Sequence, residues 1–238
     1  MRYFSDHPTS TDRERKFSAT LAEVPFAEAL LEHRCDPDGK HPEGVIHSIY
    51  YDSASLRAYG EKDNGELLKR KVRLRWYGGE GADAGGGSSS RVPAYLEVKD
   101  RFGPSRDKLR IDVDIPRSWT SDDVSLDQPV FTEFARERLD WLTPDWTPVA
   151  RISYRRRRYV CPETGLRVSL DWDIRADVFN RHRFPWALPV ALNDAVCEFK
   201  GPVPGFPDWT ADLQGLGFRF GSFSKYGECI ERLLSGIP

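Results

Sequence analysis

In five separate stretches of the chain, apolar and charged residues alternate one by one. In 69–76 (KRKVRLRW), Lys69, Lys71, Arg73 and Arg75 share one parity, while Val72, Leu74 and Trp76 carry the other. Successive strand side chains point to opposite faces, so this segment predicts a strand with one cationic and one apolar face. The pattern recurs in 95–99 (YLEVK), 108–114 (KLRIDVD), 166–173 (LRVSLDWD) and, in shorter form, 196–200 (VCEFK). A first strand is predicted over 13–19, with Glu14 and Lys16 on one face. Another is predicted over 45–51, which is rich in β-branched and aromatic residues. Apolar residues at helical spacing predict helices over 26–33, 129–142, 208–216 and 224–234. In the second of these, Val130, Phe131, Phe134, Leu139 and Leu142 form the expected buried side. Asp52 or Ser53 is placed to cap a short helix over Leu56 and Tyr59. The Gly/Ser-rich stretch 78–90, running on to about residue 92, reads as a flexible loop of a long hairpin. There is no internal repeat, and strands interspersed with helices give an α+β class.

An open antiparallel sheet with one solvated face also alternates polar and apolar residues. A merely solvated face mixes its signs, because like charges opposite one another across strands repel. Here Lys71, Arg73, Arg75, Lys99, Lys108, Arg110 and Arg167 fall on one set of faces, a costly arrangement unless an anion neutralises it. If the sheet closes, these charges line a tunnel, and closure also removes exposed strand edges. The expectation is therefore a closed antiparallel β-barrel with a charged interior and helices on the outside, with residues 1–238 as one domain.

Composition narrows the reading. A chain of 238 residues, 39% hydrophobic and 12% aromatic, can bury a substantial core. A net charge of −2 argues against a generic nucleic-acid coat, so a basic site must arise by sorting charges. Trp76 and Trp172 have the wrong parity for a base-stacking platform and, with Trp141, read as core or helix contacts. Cys35, Cys161, Cys197 and Cys229 form no C-x-x-C pair and read as buried thiols in a reducing compartment. The histidines form no ligand cluster, no stretch approaches 18 apolar residues, and residues 1–6 lack a signal-peptide core. A cytoplasmic location without a membrane segment is expected. In the run 155–158, alternation sends Arg155 and Arg157 to solvent, opposite to Arg156 and Arg158.

Several segments, in order, are similar to a known family. IYYD at 49–52, KVRLRWYG at 71–78, LEVK at 96–99, ISYRR at 152–156, LRVSLD at 166–171, CEFK at 197–200 and FSKY at 223–226 together resemble the vacuolar transporter chaperone (VTC) domain. That domain belongs to the triphosphate tunnel metalloenzyme superfamily. The resemblance implies a β-barrel tunnel that binds ATP, polyphosphate or another triphosphate with Mn²⁺ or Mg²⁺. By position, Lys16, Arg73, Arg75, Lys99, Lys108, Arg156, Arg167, Lys200 and Lys225 are its implied phosphate contacts. Lys225, Ser224, Arg75 and Arg156 are the implied catalytic group, with Ser224 at the acceptor phosphate. Residue type and spacing leave Glu198 open between a metal ligand and an ion pair with Lys200. The resemblance favours the ligand, with Glu14 as a second one and Glu97 as an internal counter-charge.

Two departures are visible. Arg101 stands where the eukaryotic polymerase has a histidine, and the family's accompanying sensor domain and membrane helices are not in this sequence. Phosphoryl transfer needs positioning and charge neutralisation more than covalent help, and no glycine loop of the G-x-x-x-x-G-K-[ST] type is present. The resemblance implies a metal-dependent polyphosphate polymerase that uses the γ-phosphoryl of ATP. A tripolyphosphatase or nucleoside triphosphatase, and a non-catalytic polyphosphate-binding module, remain as alternatives.

Overall fold

The computed structural model describes residues 13–60, 68–78, 90–102, 105–202 and 205–236. Its strands are β1 (Arg13–Thr20), β2 (Asp36–Pro37), β3 (Glu43–Asp52), β4 (Leu68–Gly78), β5 (Arg91–Phe102), β6 (Ser105–Pro116), β7 (Thr147–Val160), β8 (Arg167–Phe179), β9 (Val190–Ala191), β10 (Asp194–Gly201) and β11 (Arg219–Gly221). Its helices are α1 (Val24–Arg34), α2 (Arg57–Gly60), α3 (Pro129–Arg136), α4 (Thr210–Gly215) and α5 (Lys225–Leu234). The strands join in one sheet, ordered β11-β1-β10-β8-β7-β3-β4-β5-β6, with β2 and β9 added beside β7 and β8. The ladders are antiparallel, as the α+β class with hairpin connections requires.

The expected closed barrel is not formed. β6 and β11 end the sheet, and no ladder joins them among the described residues. β11 has three residues against the twelve of β6, too short an edge to complete a hydrogen-bonded seam. The sheet bends nonetheless. Lys99 of β5 reaches Glu14 of β1 at 2.8 Å, although five strands separate them in the sheet order. That contact makes the charged face concave, bridged by side chains where a barrel would be joined by backbone.

The apolar parity packs outward as the alternation requires. Phe17, Val168, Leu170, Cys197 and Phe199 meet Leu31 of α1 and Leu213 of α4 in one buried cluster. Val72, Leu74, Trp76, Leu96 and Ile49 join Phe131 and Phe134 of α3 in another. All four cysteines are buried free thiols. α3 stops at Arg136, short of the expected 142. Leu139 and Leu142 still reach the core on the turns that follow, before Pro144, while Val130 turns to solvent. The loop expected over 78–90 falls at 79–89 outside the described residues. The flanking β4 and β5 pair as a hairpin, Trp76 opposite Ala94. Among the described residues no helix is long and apolar enough to cross a membrane.

α5 packs against α2, β8 and β9. Its anchor is Asp52, at the end of β3, which is fully buried. Asp52 accepts from the N–H groups of Ser53, Ala58 and Tyr59 at 2.7, 2.8 and 3.0 Å, and from the Tyr226 hydroxyl at 2.7 Å. Tyr226 also stacks on Tyr50, with ring centroids 5.0 Å apart. Asp52→Ala strands these donors in the interior, where an unsatisfied buried donor costs about 1–3 kcal/mol. The expected loss is about 3 kcal/mol in urea unfolding; a change within about 0.5 kcal/mol would show that the anchor is not structural.

Candidate active site

The concave face carries the inward parity of β1, β3, β4, β5, β6, β7, β8 and β10, together with the head of α5. Its charges are organised around a few buried carboxylates. On β5, Glu97 is 3% exposed and draws in Arg73 at 2.6 Å, Lys108 at 2.9 Å and Arg75 at 3.6 Å. Burial would raise the Glu97 pKa, but Arg73, Arg75 and Lys108 outweigh it and hold the carboxyl well below its usual range. The expectation of an internal counter-charge at Glu97 agrees with this geometry.

On β8, Asp171 is completely buried and receives both arms of Arg156, Nε to Oδ1 at 2.5 Å and Nη2 to Oδ2 at 2.6 Å. Lys225, the first residue of α5, donates to the same Oδ2 at 2.6 Å and sits 4.5 Å from the centre of the Tyr154 ring. Burial pushes the Asp171 pKa up, yet Arg156 and Lys225 bring it down to about 2. Asp171 lies inside a recognised motif, but sequence reasoning gave it no role. The available signal was parity, since Asp171 shares the face of Arg167 and Ser169.

On β1 and β10, Lys16 stands opposite Glu198 and Glu14 opposite Lys200, so opposite charges alternate along and across the pair. Glu14 contacts Lys16 at 3.0 Å and Lys99 at 2.8 Å. Despite burial and the nearby Glu198 charge, which both raise it, Lys16, Lys99 and Lys200 hold the Glu14 pKa at about 2. Glu198 is ion-paired with Lys200. Its Oε1 is nevertheless buried without a hydrogen bond, the contact with Lys200 Nζ lacking hydrogen-bond geometry.

Ser224 caps α5, its Oγ accepting from the Gly227 N–H at 3.1 Å and from Lys71 Nζ at 2.8 Å. The Lys16 ammonium reaches the carbonyl of Phe223 at 3.1 Å. Of the expected site residues, Lys16, Arg73, Arg75, Lys99, Lys108, Arg156, Lys200, Ser224, Lys225, Glu14 and Glu198 are thus gathered on one face. Arg167 differs: it is exposed at the start of β8, opposite Lys200 of β10 and Val160 of β7. Arg155 is exposed, and Arg157 faces away to Glu28, Glu32 and Glu43, as the alternation predicts. Arg158, expected on the inner parity, donates to the His41 carbonyl.

The alternation of charges did not reveal two phenols. Tyr50 and Tyr154 accept from Arg73 at 3.1 Å and Arg75 at 3.3 Å, so they sit among the cations. Burial raises the Tyr50 pKa, but Arg73 and Arg75 overcome it and bring it to about 8.

The residues also bear on a divalent metal. Among the described residues no group of three or more His, Cys, Asp or Glu side chains could hold one. Glu198 with its unsatisfied Oε1, and Glu14, close enough to feel the Glu198 charge, match a magnesium-type site. Such sites draw one or two carboxylates from the protein and the rest from phosphate and water.

Carboxylates with depressed pKa values stabilise the fold above their unfolded values and lose that contribution as pH falls through the folded ones. For Asp171 and Glu14 the window runs from about pH 4 down to about 2. Urea midpoints should therefore fall between pH 4 and pH 2.5, and Asp171→Asn should show a shallower fall from a lower starting value at pH 7. An unchanged slope in the variant would remove Asp171 from the account.

The sequence matches the family model of the VTC domain over residues 11–234. No curated protein matches it. Among solved structures, it is similar to a protein of Bacillus halodurans provisionally described as an adenylate cyclase. The identity is 11% and the TM-score 0.49, covering 89% of this chain and 92% of that one. It is also similar to a conserved hypothetical protein of Pyrococcus furiosus, at 12% identity and a TM-score of 0.38, covering 86% and 85%. Both likenesses are too distant to carry chemistry between chains. The family match does not depend on them; it spans the sheet, the charged face and the head of α5, and the chain belongs to the VTC domain family.

Proposed function

We propose that the concave face binds the phosphates of ATP and of a polyphosphate chain, and that the protein transfers the γ-phosphoryl of ATP to that chain. The observation that carries this reading is the charge arrangement. Glu14, Glu97, Asp171 and Glu198 are outnumbered by the Lys and Arg side chains around them, and most of those cations are withdrawn from bulk water. An excess of enclosed cations is stable with a polyanion in place. VTC membership supports the same class of ligand. The face is read as tunnel-like in use, its gap bridged by the Lys99–Glu14 contact.

In this reading Arg73, Arg75 and Arg156 grip phosphate oxygens through paired N–H groups, while Lys16, Lys99, Lys108, Lys200 and Lys225 act as point charges. Arg167, at the mouth, meets the chain as it enters. Glu97 and Asp171 preorganise the guanidiniums, so little reorganisation accompanies the developing charge. Ser224 and Lys225, fixed at the head of α5, orient the acceptor phosphate, with Arg75 and Arg156 beside the reacting group. Glu198 and Glu14 would hold Mn²⁺ or Mg²⁺, which supplies charge neutralisation between the transferred phosphoryl and its leaving group.

The test is incubation of the purified chain with ATP and Mn²⁺, read for polyphosphate and for free phosphate. Polyphosphate is the expected product. Free phosphate alone would assign a hydrolase, and neither product would leave a binding module. Glu198→Gln should keep tripolyphosphate affinity without metal, or raise it, and lower metal-dependent ATP consumption by roughly a hundredfold or more. Unchanged consumption would exclude Glu198 as the essential ligand and leave Glu14.

A further inference from the structure

The cations of the concave face are not equally matched. Arg73, Arg75 and Lys108 share Glu97, Arg156 and Lys225 share Asp171, Lys200 meets Glu198, and Lys16 and Lys99 share Glu14. Lys71 meets no carboxylate among the described residues; its hydrogen bond goes to Ser224 Oγ at 2.8 Å. It stands directly opposite Lys99 in the β4–β5 ladder, an arrangement that is destabilising for like charges. The groups that face it are Tyr50 of β3, Arg73 of its own strand, Lys99 of β5 and Lys16 of β1, with Ser224 at the head of α5. Next to Ser224, Lys225 is already taken by Asp171. Lys16 and Lys99, which share Glu14, therefore converge with the unmatched Lys71 near Ser224.

We propose that Lys71, Lys16 and Lys99 form an anion subsite beside Ser224, and that a phosphate group entering it is taken up together with a proton, which goes to Lys71 Nζ. The proposal rests on the phosphate-binding reading and deepens it, since it says where on the face the net positive charge is uncompensated. No covalent bond forms; solvent supplies the proton and the ammonium remains hydrogen-bonded. Burial, with the repulsion of Lys16, Lys99 and Arg73, lowers the Lys71 pKa from its ordinary 10.5 to about 8. A multiply charged anion among the three lysines reverses the local field and raises that pKa again. The bound state then holds more protons than the free state, so affinity falls as pH rises through about 8. Tyr50 titrates in the same window and must be separated from Lys71.

The experiment is calorimetry of tripolyphosphate binding in EDTA, at pH 8 in two buffers of different ionisation enthalpy. Wild type, Lys71→Arg and Tyr50→Phe are compared. The guanidinium of Lys71→Arg stays charged throughout, so that variant should bind with about half a proton less uptake than wild type. Its affinity should stay within roughly threefold of wild type at pH 7 and exceed it at pH 9. Tyr50→Phe should retain the part of the uptake that Lys71→Arg loses. Equal uptake in wild type and Lys71→Arg would overturn the proposal, as would an equal loss of affinity at pH 7 and pH 9 in Lys71→Arg. Wild-type binding without uptake that depends on Lys71 defeats this inference alone. A wild type that does not bind tripolyphosphate defeats both it and the phosphate-binding reading.

Discussion

Electrostatic repulsion among the cations of one sheet face governs how the charged site of this protein is assembled. Strands β1, β4, β5, β7 and β10 place Lys and Arg on the same concave side, where burial strengthens every interaction between them. The protein answers with buried carboxylates placed where several cations converge, each used more than once. Glu97 serves Arg73, Arg75 and Lys108, and Asp171 serves Arg156 and Lys225. This sharing stabilises the free protein without exhausting the positive charge, and the remainder is what an anion can use.

The same contacts shape the sheet. Glu14 joins Lys16 on its own strand to Lys99 on a strand far along the sheet, so an ion pair draws the concave face together where the backbone does not. Outside, α1, α3 and α4 cover the apolar parity, which fixes the register: a slip of one residue would exchange the charged and apolar faces. Fold and site are thus two faces of the same strands.

α5 ties the other parts to the site. Asp52, buried at the end of β3, receives the Tyr226 hydroxyl and three backbone donors. This places the two preceding residues, Ser224 and Lys225, against Lys71 and Asp171. A carboxylate outside the charged cluster thereby sets the position of groups inside it.

The alternation of Lys71, Val72, Arg73, Leu74, Arg75 and Trp76 was enough to assign faces, because strand geometry makes parity a local property. The helix over 224–234 was legible from its apolar spacing, while its serine cap emerged only in the structure. Closure was not legible: whether β6 meets β11 depends on edge length and curvature, which no single segment encodes. Parity puts Asp171 on the charged face, but its partners, like those of Tyr50 and Tyr154, were not legible, since they come from strands and a helix distant in the chain. Parity along each strand is enough to say which side chains share a face and that this face is cationic. Folding sets which carboxylate neutralises which cation, leaves Lys71 without one among the described residues, and keeps the sheet open. Side-chain direction is set residue by residue, whereas the field at any charge is the sum over everything folding brings near it.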